Sequence, residues 1–138
     1  MNDERAIIAL WEKCDLIVPW NNPAQDIGRK LKVDQDLFLV GEVDGKIVAS
    51  VMGGYEGHRG WINYLAVHPE HRRKGLGKKI MLEVEKRIKE KGCPKINLQV
   101  RASNYDVIAF YNAIGFVDDK VIGLGKRLIE DEEINGSK

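Results

Sequence analysis

The chain has 138 residues, of which 43% are hydrophobic and 31% charged, and its formal net charge is +1. This length suits one domain with its own core, so we expect a single domain over residues 1–138. The balanced charge argues against a nucleic-acid-binding protein. The sequence lacks both an apolar run of about 18 residues and a basic, signal-like start, so we expect a cytoplasmic protein without a membrane partner.

The two cysteines do not indicate a metal site. Cys14 and Cys93 lie far apart and match neither a CxxC pair nor a Cys/His ligand spacing. We expect two reduced thiols and no bound metal.

The first half of the chain predicts two helices followed by strands. Apolar residues at helical spacing predict a helix over residues 5–17, and Pro23 suits the start of a second helix that ends near residue 32. The dipeptide Asp44-Gly45 is a strong hairpin signal between strands. The predicted strands cover residues 37–40, 47–55 and 61–67.

The second half predicts a long helix and a return to the sheet. Leu76, Ile80, Val84 and Ile88 recur along one face of a predicted helix over residues 75–91. The later predicted elements are a strand over 96–100, a helix over 105–114, one or two closing strands over 117–128 and an acidic tail over 130–138.

The order of these elements predicts the fold class. Tight hairpins make the first strands antiparallel, whereas the helical crossover to the strand at 96–100 requires a parallel pair. The expected fold is α/β in layers, with a mixed, mostly antiparallel central sheet and helices on both faces.

The stretch 72–79 predicts an anion site, since five of its eight residues are cations and it opens a helix. Cations at a helix N-terminus oppose the helix dipole, and a bound anion would resolve this conflict. Gly75 and Gly77 would let backbone N–H groups approach phosphates closely. A Rossmann loop would need a glycine at Ile80, and a P-loop would need Ser or Thr at Lys79. A solvated basic turn remains the alternative.

Two motifs resemble one known family. The run 65–69 (Leu-Ala-Val-His-Pro), followed by Arg72-x-x-Gly75-x-Gly77, resembles the acetyl-CoA motif of the GNAT N-acetyltransferases. Asn104, with Tyr111 seven residues later, resembles the second signature of that family. The resemblance implies a GNAT-like fold, although the strand that usually precedes the first helix is absent here. It implies acetyl-CoA as cosubstrate, bound by residues Leu65, Val67, Arg72, Arg73, Lys74, Gly75, Leu76, Gly77, Lys78, Asn104 and Tyr111.

The resemblance also implies chemistry: an acetyl group passes to a primary amine of a protein, peptide or small molecule by direct attack. The backbone N–H of Val67 would stabilise the oxyanion, and Tyr111 would protonate the departing thiolate. Asn104 alternatively only caps a helix, and Tyr111 alternatively only fills the core.

The sequence leaves open which group is the general base and which amine is the acceptor. The stretch from 98 to 104 resembles that of the ribosomal-protein alanine acetyltransferases, but Gln99 stands where some of these carry a glutamate. Glu56 or His58, in a loop between strands, is therefore our candidate for binding or deprotonating the amine, directly or through water. A solvated hairpin loop is the alternative. By family analogy the segment 20–22 (Trp-Asn-Asn) also lines the acceptor groove.

A second class of function would use the glycine loop to bind acyl-CoA without catalysing a reaction. A non-catalytic acyl-CoA-binding sensor or interaction module would retain Arg72, Gly75 and Gly77 and would not need Tyr111. The presence of Tyr111 favours the enzyme. The missing first strand would leave an open sheet edge, which makes a homodimer possible.

Overall fold

The computed structural model describes residues 3–132, and this part of the chain contains four α-helices, two short 3-10 helices and four strands. The helices are α1 (Glu4–Lys13), α2 (Pro23–Lys30), α3 (Leu76–Glu90) and α4 (Tyr105–Ala113). The strands are β1 (Phe38–Val43), β2 (Lys46–Tyr55), β3 (Gly60–Val67) and β4 (Ile96–Leu98). The predicted order of helices and strands is therefore confirmed up to α4, with ends that differ by a few residues.

The strands form one sheet in the order β1-β2-β3-β4. The β1–β2 and β2–β3 pairs are antiparallel, and β3 pairs in parallel with β4. The mixed, mostly antiparallel sheet is thus confirmed. Between residues 3 and 132 the first element is α1, so the described chain has no strand ahead of the first helix.

Helices cover both faces of the sheet. On one face α3 buries Met81, Val84 and Ile88, and Tyr111 of α4 belongs to the same cluster. On the other face α1 and α2 form a second cluster, which includes the fully buried side chains Ile7, Trp11 and Ile27. The layered arrangement α1/α2–sheet–α3/α4 therefore follows the prediction.

The closing strands predicted over residues 117–128 are wrong. This segment pairs with no strand, and its large apolar side chains are exposed, among them Ile122 (87%) and Leu124 (92%). Its apolar residues do not alternate along the segment, and Gly123 and Gly125 interrupt it, so it has no regular strand face. Side-chain contacts hold it instead, beginning with the Lys95–Asp119 ion pair at 2.9 Å. The predicted tail continues to residue 138, and its last six residues lie outside the described part.

Three simpler expectations can be compared with the structure. Cys14 is half-buried and Cys93 is buried, and both are free thiols. None of the described helices combines the length and apolar character that a membrane crossing requires. Among residues 3–132, His, Cys, Asp and Glu side chains form no group that could hold a metal ion.

Candidate functional site

The sheet opens between β3 and β4. Only Gly60, Trp61 and Ile62 of β3 pair with β4, through Ile96–Leu98. The rest of β3, from Asn63 to Val67, continues without a β4 partner. A gap therefore opens between the carboxyl ends of these two parallel strands, and we call it the β3–β4 gap.

A β-bulge lies in β3 at the mouth of this gap. Ser50 of β2 pairs with Ala66 of β3, whereas Met52 pairs with Asn63. Two β3 residues, Tyr64 and Leu65, therefore face the single residue of β2 between these pairs. Tyr64 takes the left-handed conformation with φ 51°, which costs a non-glycine residue about 1–2 kcal/mol.

The bulge reverses the direction in which β3 residues point their backbone groups. Before the bulge, the N–H of Gly60 donates to Lys95 on the β4 side at 2.9 Å. After it, the N–H of His68 donates to Val48 on the β2 side at 2.8 Å. Both residues have even numbers, and in an uninterrupted strand their N–H groups would point the same way. The extra residue accounts for the reversal.

The reversal turns the N–H of Val67 into the β3–β4 gap. Because neighbouring residues of a strand point to opposite sides, Val67 points away from β2 once His68 points toward it. The carbonyl of Val67 shows the same direction, because it accepts hydrogen bonds from Arg72 at 3.0 Å and from Cys14 at 3.3 Å. Without the bulge, the Val67 N–H would belong to the ladder with β2.

Four side chains surround the bulge on the α1/α2 face. The indole N–H of Trp11 donates to the Ser50 hydroxyl at 2.9 Å, and that hydroxyl donates to the Tyr64 carbonyl at 3.1 Å. The ring of Tyr64 stacks on Trp11 with centroids 3.9 Å apart. The Tyr64 hydroxyl donates to Asp26 of α2 at 2.5 Å. The bulge is therefore held at its carbonyl, its ring and its hydroxyl.

The basic glycine loop adjoins the carboxyl end of β3. Arg73 and Gly75 take left-handed conformations with φ 66° and 78°, and Gly75 is the N-cap of α3. A side chain at Gly75 would meet nothing within 4 Å, and no side chain caps this helix end. The N–H groups of the first turn of α3 are therefore open to an external acceptor, and phosphates fit this arrangement.

Gly77 brings the loop, β3 and α4 together. A Cβ atom at Gly77 would lie 3.1 Å from the Phe110 ring of α4 and 3.6 Å from the Val67 side chain. Glycine thus permits the first turn of α3 to pack directly against both elements. The structure consequently places the predicted phosphate loop beside the end of the β3–β4 gap.

The remaining residues predicted to bind the cofactor differ in how far their side chains are exposed to solvent. Arg72 turns back onto the Val67 carbonyl, so part of its role is to join the loop to β3. Leu65 packs partly buried against the core, and Leu76 is half-buried. The exposed side chains Arg73, Lys74 and Lys78 make no ion pair with any residue between 3 and 132.

Asn104 is the N-cap of α4, because its side-chain oxygen accepts the Val107 N–H at 3.4 Å. The capping interpretation is confirmed. The side-chain NH₂ donates to no acceptor in the described part of the chain, and Asn104 is exposed. Capping and ligand contact are therefore compatible.

Tyr111 belongs to the core on the α3/α4 side and is 8% exposed. Its ring makes edge contacts with Phe110 and Phe116, whose centroids lie 5.2 and 5.5 Å away. Burial raises the pKa of the Tyr111 hydroxyl to about 12, so the phenol stays protonated at neutral pH. Since Phe110 packs on Gly77, Tyr111 lies one side chain away from the phosphate loop.

Glu56 and His58 lie apart from Val67 and the glycine loop. Their loop precedes Gly60, at the closed end of the gap, and the seven strand steps to Val67 span roughly 20 Å. The Glu56 carboxylate also accepts the backbone N–H groups of His58 and Arg59, and these bonds lower its pKa. The structure thus gives Glu56 a turn-closing role and separates both residues from Val67.

The segment 20–22, predicted to line the acceptor groove, makes long-range contacts that the sequence did not predict. The guanidinium of Arg101, just beyond β4, lies over the ring of Trp20 at 6.0 Å. The segment after α4 reaches the same connection, where Asp131 binds Arg29 at 2.6 Å and accepts the Asn22 backbone N–H at 2.8 Å. These contacts join residues about 80 to 110 positions apart, and a helix-or-strand pattern carries no signal for them.

Gln99 contacts the same late segment. Its side-chain nitrogen lies 2.5 Å from where a Cβ of Gly123 would be, so Gly123 allows the close approach. Gln99 is exposed and follows directly after β4. The structure therefore places Gln99 at the β4 side of the gap, where the sequence predicts a strand.

The open gap between parallel strands thus lies beside a glycine-rich helix start whose first-turn N–H groups are free to bind an anion. Comparison with known proteins identifies the class. A profile of the acetyltransferase (GNAT) family matches residues 5–116, and the chain belongs to this family. It is an acetyl-CoA-dependent N-acetyltransferase.

Individual relatives agree with this assignment. An acetyltransferase of Sodalis glossinidius is 52% identical, with 96% of this chain and 94% of that protein covered. An acetyltransferase of Pectobacterium atrosepticum is 53% identical over the same shares. The structure of AAC(6')-Iy in complex with the bisubstrate analogue CoA-S-monomethyl-acetylneamine has a TM-score of 0.63 and 20% identity, covering 77% of this chain and 75% of that one. At this identity the structural likeness shows the shared fold alone.

The direction of the Val67 N–H can be tested in the free protein. We expect the Val67 amide to exchange its hydrogen faster than the His68 amide, because only the latter donates into the ladder with β2. Residue-resolved hydrogen exchange by NMR measures both. Equal protection of the two amides would contradict the reversal at Tyr64.

Proposed function

We propose that the chain transfers an acetyl group from acetyl-CoA to a primary amine by direct attack in the β3–β4 gap. The observation that carries this proposal is the Val67 N–H, which points into the gap beside the glycine loop. The amine nitrogen forms a bond to the acetyl carbon, the carbon–sulfur bond breaks, and the nitrogen loses one proton. A fixed backbone donor of this kind contributes about 3 kcal/mol to such a reaction.

The glycine loop binds the phosphates of the cosubstrate. The first-turn N–H groups of α3 and the side chains of Arg73, Lys74 and Lys78 offer donors and positive charge around Gly75. The side-chain NH₂ of Asn104 contacts the pantetheine arm while its oxygen continues to cap α4. Leu65, Leu76 and Gly77 shape the wall between β3 and α3.

Tyr111 supplies a proton to the departing sulfur. With a pKa of about 12 the hydroxyl remains neutral throughout the working pH range, and it first donates a hydrogen bond to the sulfur. Because this phenol is a weaker acid than a thiol, the hydrogen bond stabilises the negative charge that develops on the sulfur, and the sulfur takes the phenol proton as solvent returns a proton to the phenol.

The acceptor reacts as a neutral amine, and water takes its proton. Gln99 cannot accept a proton, and the Glu56–His58 loop lies roughly 20 Å from Val67 along the strand. The proton therefore leaves to solvent at the mouth of the gap, without Glu56 or His58. The acceptor enters past Trp20 and Arg101, which face each other there.

We further propose that the protein acts in the cytoplasm as one domain that forms a homodimer. The support for the dimer is β1, which pairs with β2 on one side and has no partner on its other edge among the described strands. Such an edge invites pairing with a second copy. Light scattering at high protein concentration should give twice the chain mass, and a monomer would contradict the dimer.

Acetyl-CoA should stabilise the folded chain. At 100 times the Kd, binding raises the free energy of unfolding by about 2.7 kcal/mol. Gly75→Asp should abolish this gain, because a carboxylate would occupy the open space at the helix start and repel phosphate. Thermal unfolding with and without acetyl-CoA measures the effect.

Gly45→Asp is the matched control. Gly45 has φ 77°, almost that of Gly75, and an added side chain also meets nothing within 4 Å, but it lies in the β1–β2 turn. Both variants thus add the same strain and charge. Equal stabilisation by acetyl-CoA in both would contradict the phosphate site at Gly75.

Tyr111→Phe should lower kcat by about 10²-fold or more and leave the Kd of CoA within about twofold, because it removes only the proton donor. The control is Tyr105→Phe, which makes the same change on an exposed residue of the same helix. An amine and peptide screen that follows release of free thiol supplies the acceptor for this assay. If Tyr111→Phe keeps full turnover, Tyr111 is a core residue and another group protonates the sulfur.

A further inference from the structure

We propose that Ser50 is a positioning residue for acetyl transfer: it holds the Tyr64 bulge in the state that turns the Val67 N–H toward the thioester. This inference rests on the proposed function and goes beyond it, because Ser50 neither touches the β3–β4 gap nor belongs to either signature. It assigns a catalytic consequence to a polar group on the far side of the sheet.

The first argument is the isolation of Ser50 in an apolar layer. Ser50 is 0% exposed and borders the cluster that contains Ile7, Trp11 and Ile27. A hydroxyl in such a place is costly unless it is fully hydrogen-bonded. Its two hydrogen bonds go to Trp11 and to the Tyr64 carbonyl, so the group is satisfied only while Tyr64 keeps its bulged conformation.

The second argument is strain. Tyr64 is held in a left-handed conformation that a tyrosine adopts rarely, and such a state persists only where neighbours over-determine it. Ser50 is the neighbour that bonds the backbone of Tyr64, whereas Trp11 and Asp26 contact its side chain. Loss of the hydroxyl would remove the hydrogen bond to the peptide group whose rotation makes the bulge.

The third argument is geometry along β3. Only two residues separate Tyr64 from Val67, and the extra β3 residue between the Met52–Asn63 and Ser50–Ala66 pairs decides which way the Val67 N–H points. If the bulge shifts or dissolves, Val67 returns its N–H to β2. An oxyanion donor acts only when it is already aimed at the reacting oxygen.

The test compares two ligands that differ only in the acetyl group. In the wild type, the Val67 amide resonance should shift between the complexes with CoA and with acetyl-CoA, because only the latter has a thioester carbonyl oxygen for this N–H. In Ser50→Ala we expect at least half of that difference to vanish, while the Gly75 and Gly77 amides still respond to both ligands. With an amine from the screen, kcat should fall roughly tenfold or more and the Kd of CoA should stay within about twofold.

The control for a purely structural role is Ile7→Val, which trims the same apolar cluster but makes no hydrogen bond to the bulge. At equal loss of thermal stability it should keep the Val67 response and kcat. If Ser50→Ala fails to fold, Ser50→Cys decides, since a thiol preserves the volume and hydrogen-bonds only weakly. It should show the same loss at Val67.

The outcomes separate this inference from the proposed function. If the Gly75 and Gly77 amides of the wild type respond to neither ligand, acetyl-CoA does not bind the loop and both proposals fail. If they respond but the Ser50 variants retain the full Val67 difference, or match Ile7→Val in kcat, the role of Ser50 is overturned and the acetyltransferase proposal stands.

Discussion

Strand β3 carries one residue more than β2 between the pairs Ser50–Ala66 and Met52–Asn63, and the rest of the site depends on this extra residue. Upstream of it, β3 binds β4 and closes the sheet. Downstream of it, the N–H of Val67 leaves the ladder with β2 and points into the β3–β4 gap. The bulge also sets the faces of the strand, since Leu65 and Val67 pack toward α3 while Tyr64 packs toward α1.

The second requirement is that the cosubstrate meets this donor at a fixed distance. Gly77 satisfies it by letting the first turn of α3 pack on Val67 and Phe110, and Arg72 satisfies it by bonding the Val67 carbonyl. The loop proposed to bind phosphate is therefore joined to the strand whose N–H is proposed to face the thioester. Tyr111, next to Phe110, completes the group from the side of α4.

The sequence predicts most of this arrangement, and its failures have physical causes. Local signals suffice for the glycine loop and for the Asn104 cap, because each depends on residue types within one helix turn. The one or two closing strands predicted over 117–128 do not form, because the apolar residues of this segment do not alternate. The Glu56 loop could have been excluded, since the loop before β3 must lie at the closed end of a gap that opens at the carboxyl ends. The Tyr64 bulge could not be predicted, because its backbone contact is with a buried hydroxyl on another strand, for which the local pattern of β3 carries no signal.

A crystal structure of the chain with acetyl-CoA would test the account most directly. We predict phosphate oxygens on the first-turn N–H groups of α3 and the thioester oxygen within about 3 Å of the Val67 nitrogen, with Tyr64 still in the left-handed conformation. The Tyr111 hydroxyl should face the sulfur. A cosubstrate bound away from the β3–β4 gap, or a Val67 N–H that bonds to β2 in the complex, would contradict the central claim.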